Sequence, residues 1–574
     1  MNFVKRMIGC FVVVLYVLTY LYSGKWDGGL DIYSRLLNVF IWDASTPQNT
    51  LIKATVVTGI LMNTTSGAEK ETADLCPSNF SYRRWAEMPH EPLSKGRLQL
   101  PSMRPPVECR WFYSQVVEEE IERVTRQISD EDVRQLVRNI MPNTLDTAIA
   151  WHEPGTEDGK VPYTFVITGD INAQWTRDSA NQIIPLMPYV QRDVGLRRLV
   201  AGLVNMQAEQ IAAYPYANAY KPPPRSGLKP GQNSGFPRDR AEPKYDPKLV
   251  YEAKFEIDSL ASFFQLSTTY WKQGSEGLQV VGPQTQLPLI DVAMWKTAVE
   301  AALGLLEQLQ QPTYVEGSGN GRLNAATVKF LRESDRPTET SFGRGRGNPV
   351  RHTGMVRTLF RPSDDSATLP FFVAGNAMLA VQLERLATLL TALGGAKKTA
   401  GRAQRLAADI RKGIATHAVV EHPRYGRVYA YEVDGFGGQL VMDDANVPSL
   451  LALPLLGFVE ASDVVYQNTR RLILSSDNPW HFAGTQVQGV GSPHTDFLQV
   501  WPMAIAVRAL TCDDRQEVHD AITMLVNSTG GLGLMHESVH VDDPTKYSRP
   551  WFAWCNGVVS ELLVKTVQRF PGII

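Results

Sequence analysis

The chain has 574 residues, of which 44% are hydrophobic and 20% charged, enough for a large buried core and too apolar for wholesale disorder. Lys and Arg number 57 against 59 Asp and Glu, a formal net charge of −2, which excludes an electrostatic grip on nucleic acid. Five cysteines are too few for a disulfide-built scaffold or a paired-cysteine zinc module.

At the N-terminus Lys5 and Arg6 precede an uncharged apolar run over residues 7–22. This run predicts a signal anchor over residues 1–24, with the N-terminus cytosolic and the rest luminal. Cleavage and secretion is the alternative, although no A-x-A-like site follows at once. Sequons at Asn63, Asn79 and Asn527 agree with a luminal body, a single-pass type II protein of the secretory pathway. Residues 25–108 are irregular and Pro-bearing, and read as a luminal stem that partly packs on the body. Within that stretch Cys76 is free to pair with Cys109 in an oxidising lumen.

From about residue 109 to the C-terminus, apolar residues recur at three- and four-residue spacing. Helices are predicted over 111–127, 130–141, 177–190, 194–213, 252–272, 288–311, 369–394, 398–418, 446–457, 460–474, 496–510, 515–527 and 550–569. Strand signals are short, at 163–168 and 427–433. The paired helices predict an all-α fold, a toroid of helical hairpins, over 109–574. A superhelical solenoid is the alternative, weakened by the lack of a constant repeat period. Long loops at 214–249 and 312–362 interrupt the pattern and are expected to be functional or disordered.

Several segments carry candidate chemistry. In residues 168–179, Trp175, Arg177 and Asp178 combine an aromatic plate with a charged pair suited to sugar hydroxyls, or form a helix cap with a local salt bridge. Phe255-Glu256-Ile257-Asp258-Ser259-Leu260 places acids at the start of a buried helix, where burial raises a carboxyl pKa as a general acid requires, unless the carboxylate is simply paired. Asp443 and Asp444, followed by Asn446, are either caps or hydroxyl ligands. His494 follows a glycine-rich turn and is a substrate-binding candidate. His536-Glu537-Ser538-Val539-His540 matches the H-E-x-x-H pattern of zinc peptidases. Zinc chemistry needs both histidines on one helical turn, yet glycines lie upstream and Asp542-Asp543-Pro544 downstream. Glu537 reads better as an acid presented on a loop. Trp551 and Trp554 are core residues or the floor of a sugar site. No metal site is assigned.

Taken together, residues 169–179 (GDINAQWTRDS), 255–260 (FEIDSL), 431–451 (YEVDGFGGQLVMDDANVPSLL), 489–496 (GVGSPHTD), 531–540 (GLGLMHESVH) and 548–556 (SRPWFAWCN) resemble glycoside hydrolase family 125, the exo-acting α-1,6-mannosidases, in its fungal meiotically up-regulated branch. The resemblance implies an (α/α)6 barrel, a terminal mannose of a glycan as substrate, and inversion without metal or other cofactor. It implies Asp258 as general acid and Glu537 as general base. Trp175, Arg177, Asp178, Asp444, Asn446 and His494 are then expected to hold the mannose. The chain is expected to act as a monomer. The competing readings are a zinc metallopeptidase using His536, Glu537 and His540, and a catalytically inactive mannoside-binding protein.

Overall fold

The computed structural model describes residues 76–78, 80–156, 159–233, 238–275 and 289–574. The predicted anchor, most of the stem, and the sequons at Asn63 and Asn79 lie outside them. Among the described residues no helix is long and apolar enough to cross a membrane.

Fifteen α-helices are present among the described residues, with short two- and three-stranded sheets at their ends. Twelve helices build the body: α1 Gln115–Thr125, α2 Glu131–Ile140, α3 Thr176–Ile183, α4 Val194–Ala213, α5 Ile257–Ser275, α6 Val292–Leu309, α7 Val373–Ala392, α8 Lys397–His417, α9 Val464–Ile473, α10 Pro502–Leu510, α11 Arg515–Asn527 and α12 Ala553–Arg569. Local chemistry explains the starts. Asp130, Asp193, Asp291, Asp463 and Asp514 each cap the N-terminus of α2, α4, α6, α9 and α11, accepting from backbone N–H groups of the first turn. Pro502 opens α10, where its missing N–H costs nothing.

The helices form two layers. α3 packs on α5, α5 on α7, α10 on α12, and α12 back on α3. These helices are buried nearly all round, polar side chains of α3 included; residues 373–383 of α7 are all buried. α2, α4, α6, α8 and α11 pack outside them, with α4 on α6, α6 on α8 and α11 on α2. This is the neighbour pattern of a toroid of hairpins.

The predicted helix over 446–457 does not form. Turns occupy 451–457, because Pro448 and Pro454 remove two donors from any helical ladder. The Asp443 carboxylate accepts from the Leu450 and Leu451 N–H groups at 2.9 and 3.0 Å, so it organises these turns rather than facing a ligand. The start predicted at 496 falls at Pro502 instead, since Gln499–Val500 is a strand paired with Val539–His540.

The two long loops are ordered against each other over their described parts. Arg240–Glu242 pairs antiparallel with Lys329–Leu331. Arg332 then donates to Asp239 at 2.7 Å through two nitrogens and to Glu252 at 2.7 Å. A second sheet joins Gln174–Trp175, Ala219–Tyr220 and Val250–Glu252.

The described end of the predicted stem belongs to the body. Leu100 and Met103 are fully buried, and Cys76 forms a disulfide with Cys109. Asn139 on α2 is the tie point. Its amide donates to Pro101 O and Gly533 O, both at 3.0 Å, while its carbonyl accepts from Met103 N at 3.0 Å. Gly533 has φ +67 and lies so close to Asn139 that a Cβ there would meet the amide nitrogen at 2.7 Å. Replacement Asn139→Ala orphans these buried groups, and urea unfolding is expected to report a loss of about 2–4 kcal/mol.

Candidate active site

The N-termini of α3, α10 and α12 converge on one pocket of about 380 Å³, open to solvent. Trp175, Arg177, Asp178, Asn446, His494, Trp501, Glu537, Arg549, Phe552 and Trp554 line it, with Pro362, Ser363 and Asp364 from the end of the second long loop. Helix N-termini carry partial positive charge, so an acidic wall is favoured there. A larger hollow of about 1020 Å³ between α2, α3 and α12 is mainly aliphatic, and its two acids, Glu120 and Glu561, are already paired with Arg123 and Lys565.

Arg177 is a nearly buried part of the pocket lining. Its guanidinium contacts Glu256 at 2.5 Å, Asp258 at 3.1 Å and Asp178 at 3.2 Å. It also lies 5.3 Å from the Trp554 ring centroid. Burial raises the Asp178 carboxyl to about 6 even beside this cation. Burial likewise raises Asp258, which is fully enclosed.

Asp258 does not line the pocket, which departs from the role the sequence suggests for it. It sits one residue into α5, where its carboxylate turns to Arg177. Asp364 stands on the pocket wall instead. The segment 358–366 docks on the entry to α5: Leu359 and Phe360 N–H both donate to Phe255 O, and Ile257 N–H donates to Thr358 Oγ1. Asp364 itself has φ +66, the left-handed region that non-glycine residues occupy only when neighbours enforce it. The enforcement is visible. Trp175 Nε1 and Asn218 Nδ2 donate to its carboxylate, each at 3.3 Å, and Lys254 Nζ donates to its carbonyl at 3.1 Å.

Glu537 enters the pocket on the loop after α11. Gly530, Gly531 and Gly533 all have positive φ, which turns this loop back over the inner helices. Its carboxylate accepts from Ser548 Oγ at 3.0 Å and lies 3.5 Å from Arg549 Nε. Arg549 also reaches Asp170 at 3.4 Å.

The H-E-x-x-H match is not helical. Val539–His540 is a strand, and His536 stacks on Tyr547 at 4.0 Å while its Nδ1 hydrogen-bonds the Arg549 carbonyl at 2.7 Å. Burial lowers the His536 pKa to about 4, so it is neutral and donates to that carbonyl. His536 therefore fixes the loop beneath Glu537, and the geometry of a helical zinc-peptidase site is absent from this segment.

Among the predicted sugar ligands, Trp175, Arg177, Asp178, Asn446 and His494 line the pocket, and Asp444 does not. Asp444 accepts from Asn446 Nδ2 at 2.9 Å and Ser492 Oγ at 3.0 Å, orienting the loop that carries His494. Burial works against charge on His494, yet its hydrogen bond to Asp365 and the nearby acids raise it to about 9, leaving it cationic at neutral pH. Asp364, Asp365 and Arg549 were not singled out from sequence. The available signal was the adjacent acids after Arg361-Pro362-Ser363, just past the second long loop.

The family model for the metal-independent alpha-mannosidases (GH125) matches residues 130–564. The chain belongs to this family. The Meiotically up-regulated gene 157 protein of Schizosaccharomyces pombe is 45% identical over 501 residues, covering 87% of this chain and 94% of its own. A solved metal-independent alpha mannosidase of Streptococcus pneumoniae, in a non-productive complex with alpha-1,6-mannobiose, superposes with a TM-score of 0.69 at 33% identity. It covers 80% of this chain and 99% of its own.

Replacing Arg177 by Met strips the shared cation from three buried acids. Denaturant unfolding at pH 7 is expected to show a loss of about 3–5 kcal/mol.

Proposed function

We propose that this family member is an inverting exo-α-mannosidase that removes terminal α-1,6-linked mannose from a glycan. The observation that carries this reading is the sharing of one pocket by Asp364 and Glu537, acids brought there by two unrelated loops. In the proposed reaction Asp364 gives its proton to the glycosidic oxygen as the C–O bond breaks. Glu537 takes a proton from a water that attacks the anomeric carbon from the opposite face. An inverting pair needs roughly 6.5–9.5 Å between carboxyl groups to admit that water. The acid role thus passes from Asp258 to Asp364, because a proton donor must touch the leaving oxygen and Asp258 is enclosed.

The surroundings support the same chemistry. The oxocarbenium-like transition state is positive, and Asp178, Asp364 and Glu537 face it together. Trp175, Asn446 and His494 supply a ring face and hydrogen-bonding groups for the mannose. The pocket is small and lined by the rings of Trp501, Phe552 and Trp554, which suits a chain end rather than the middle of a polymer. The toroid of helical hairpins matches the (α/α)6 architecture the resemblance implies. Proton transfer between two carboxyl groups and water requires no metal. The disulfide Cys76–Cys109 and the uncharged run at 7–22 support a luminal body behind an N-terminal anchor.

Turnover of α-1,6-mannobiose in the presence of chelator, followed by NMR of the anomer released, tests the reading. β-Mannose is expected, with Asp364→Asn and Glu537→Gln each losing at least about 10²-fold in kcat. Release of α-mannose, or activity abolished by the chelator, overturns it.

A further inference from the structure

Glu256 is the acid for which the proposed reaction has no use. It is buried at the start of α5, outside the pocket, yet one side-chain amide, that of Asn218, holds its carboxyl beside that of Asp364. Asn218 clamps the two together, its Nδ2 donating to Glu256 Oε1 at 3.2 Å and to Asp364 Oδ1 at 3.3 Å. Ser259 Oγ donates to Glu256 Oε2 at 3.2 Å.

Two ionised carboxylates have only acceptors, so a hydrogen bond between them requires one bound proton. The charge balance agrees. Around the pair, Asp178 and Arg177 face it from α3, Asp258 from α5, Lys254 from the segment before α5, and Asp365 with His494 from the loops. Glu537 and Arg549 neutralise each other across the pocket. Glu252 also accepts from Asn218 Nδ2, at 3.2 Å, and pairs with Arg332, which is itself shared with Asp239. Around Asp364 the acids Asp178, Glu252, Glu256, Asp258, Asp364 and Asp365 thus outnumber the cations Arg177, Lys254, His494 and Arg332. In a buried site such an excess is relieved by protonation.

We propose that Glu256 is a positioning residue for the general acid: it shares a proton with Asp364 and keeps that proton in the site until the glycosidic oxygen takes it. This rests on the assignment of Asp364 above. In the resting site the proton sits on Glu256 and is donated to the Asp364 carboxylate. During the reaction it passes to Asp364 as Asp364 protonates the leaving oxygen, and Glu256 is left as the carboxylate facing Arg177. The water's proton goes to Glu537, so charge and atoms balance. Directions of titration fit this order. Burial, with Asp364 and Asp258 nearby, raises Glu256 well above the usual carboxylate range. For Asp364 burial is outweighed by the hydrogen bond from Glu256 and by Lys254 and Arg177, and the net shift is downward. The pair titrates as one unit.

The test compares α-1,6-mannobiose, whose leaving group needs a proton, with 2,4-dinitrophenyl α-mannoside, whose leaving group does not. Glu256→Gln keeps size and hydrogen bonding but carries no transferable proton. It is expected to lose about 10²-fold on mannobiose and under about threefold on the activated substrate. A general acid works only while protonated, so kcat/KM falls as pH rises through the pair's pKa. Without the shared proton the alkaline limb of the mannobiose profile should move down by about one pH unit. Glu256→Asp, which withdraws the carboxyl by one methylene, should move the same limb in the same direction and serves if the Gln variant does not fold. Equal losses on both substrates with an unmoved limb would sink the inference. Asp364→Asn is the control: if it spares the activated substrate while Glu256→Gln does not, only the role of Glu256 falls. If Asp364→Asn loses equally on both substrates, the acid assignment falls with it.

Discussion

One buried guanidinium sets the terms for the whole site. Arg177 touches Asp178, Glu256 and Asp258 at once, and these acids sit at the first turns of α3 and α5. Desolvating a lone carboxylate costs several kcal/mol, and no other cation reaches these three so closely. The inner helices can therefore bring their N-termini together only with Arg177 in place. The arrangement also fixes which acids face the pocket. With Glu256 and Asp258 turned to Arg177, the carboxyls on the pocket wall are those of Asp178, Asp364 and Glu537.

Much of this architecture is legible in the sequence, for a physical reason. Amphipathic periodicity reports a buried stripe, so most of the predicted helices appear with small changes at their ends. The failure over 446–457 is equally instructive. Apolar spacing there is helical, but two prolines and the Asp443 carboxylate, which accepts from the backbone at Leu450 and Leu451, favour turns. Glu537 was legible because glycines announce a loop and the motif around it is long. Asp364 was not. Its position depends on a backbone φ of +66 and on contacts with Trp175 and Asn218, remote in sequence and invisible to any local pattern.

The long loops belong to the machinery. Arg240–Glu242 pairs with Lys329–Leu331, and Arg332 locks Asp239 and Glu252 on the same side. Further along the chain, just past the second loop, Asp364 reaches the pocket wall. The pairing converts two flexible connections into a rigid mount, and rigidity is what holds a strained acid in place. Length in these loops is thus spent on positioning Asp364.

The strap before α1 has a further consequence for how the protein is made. Cys76–Cys109 closes a segment whose Tyr82 ring meets Trp551 edge-on at 4.8 Å and whose Pro101 carbonyl is held by Asn139. Asn139 in turn grips Gly533, four residues before Glu537. A disulfide at one end of the strap is therefore mechanically continuous with the loop that carries Glu537 into the pocket. A chain folded in a reducing cytosol would lack that brace, so the oxidation state of the folding compartment becomes part of how the active pocket acquires its shape.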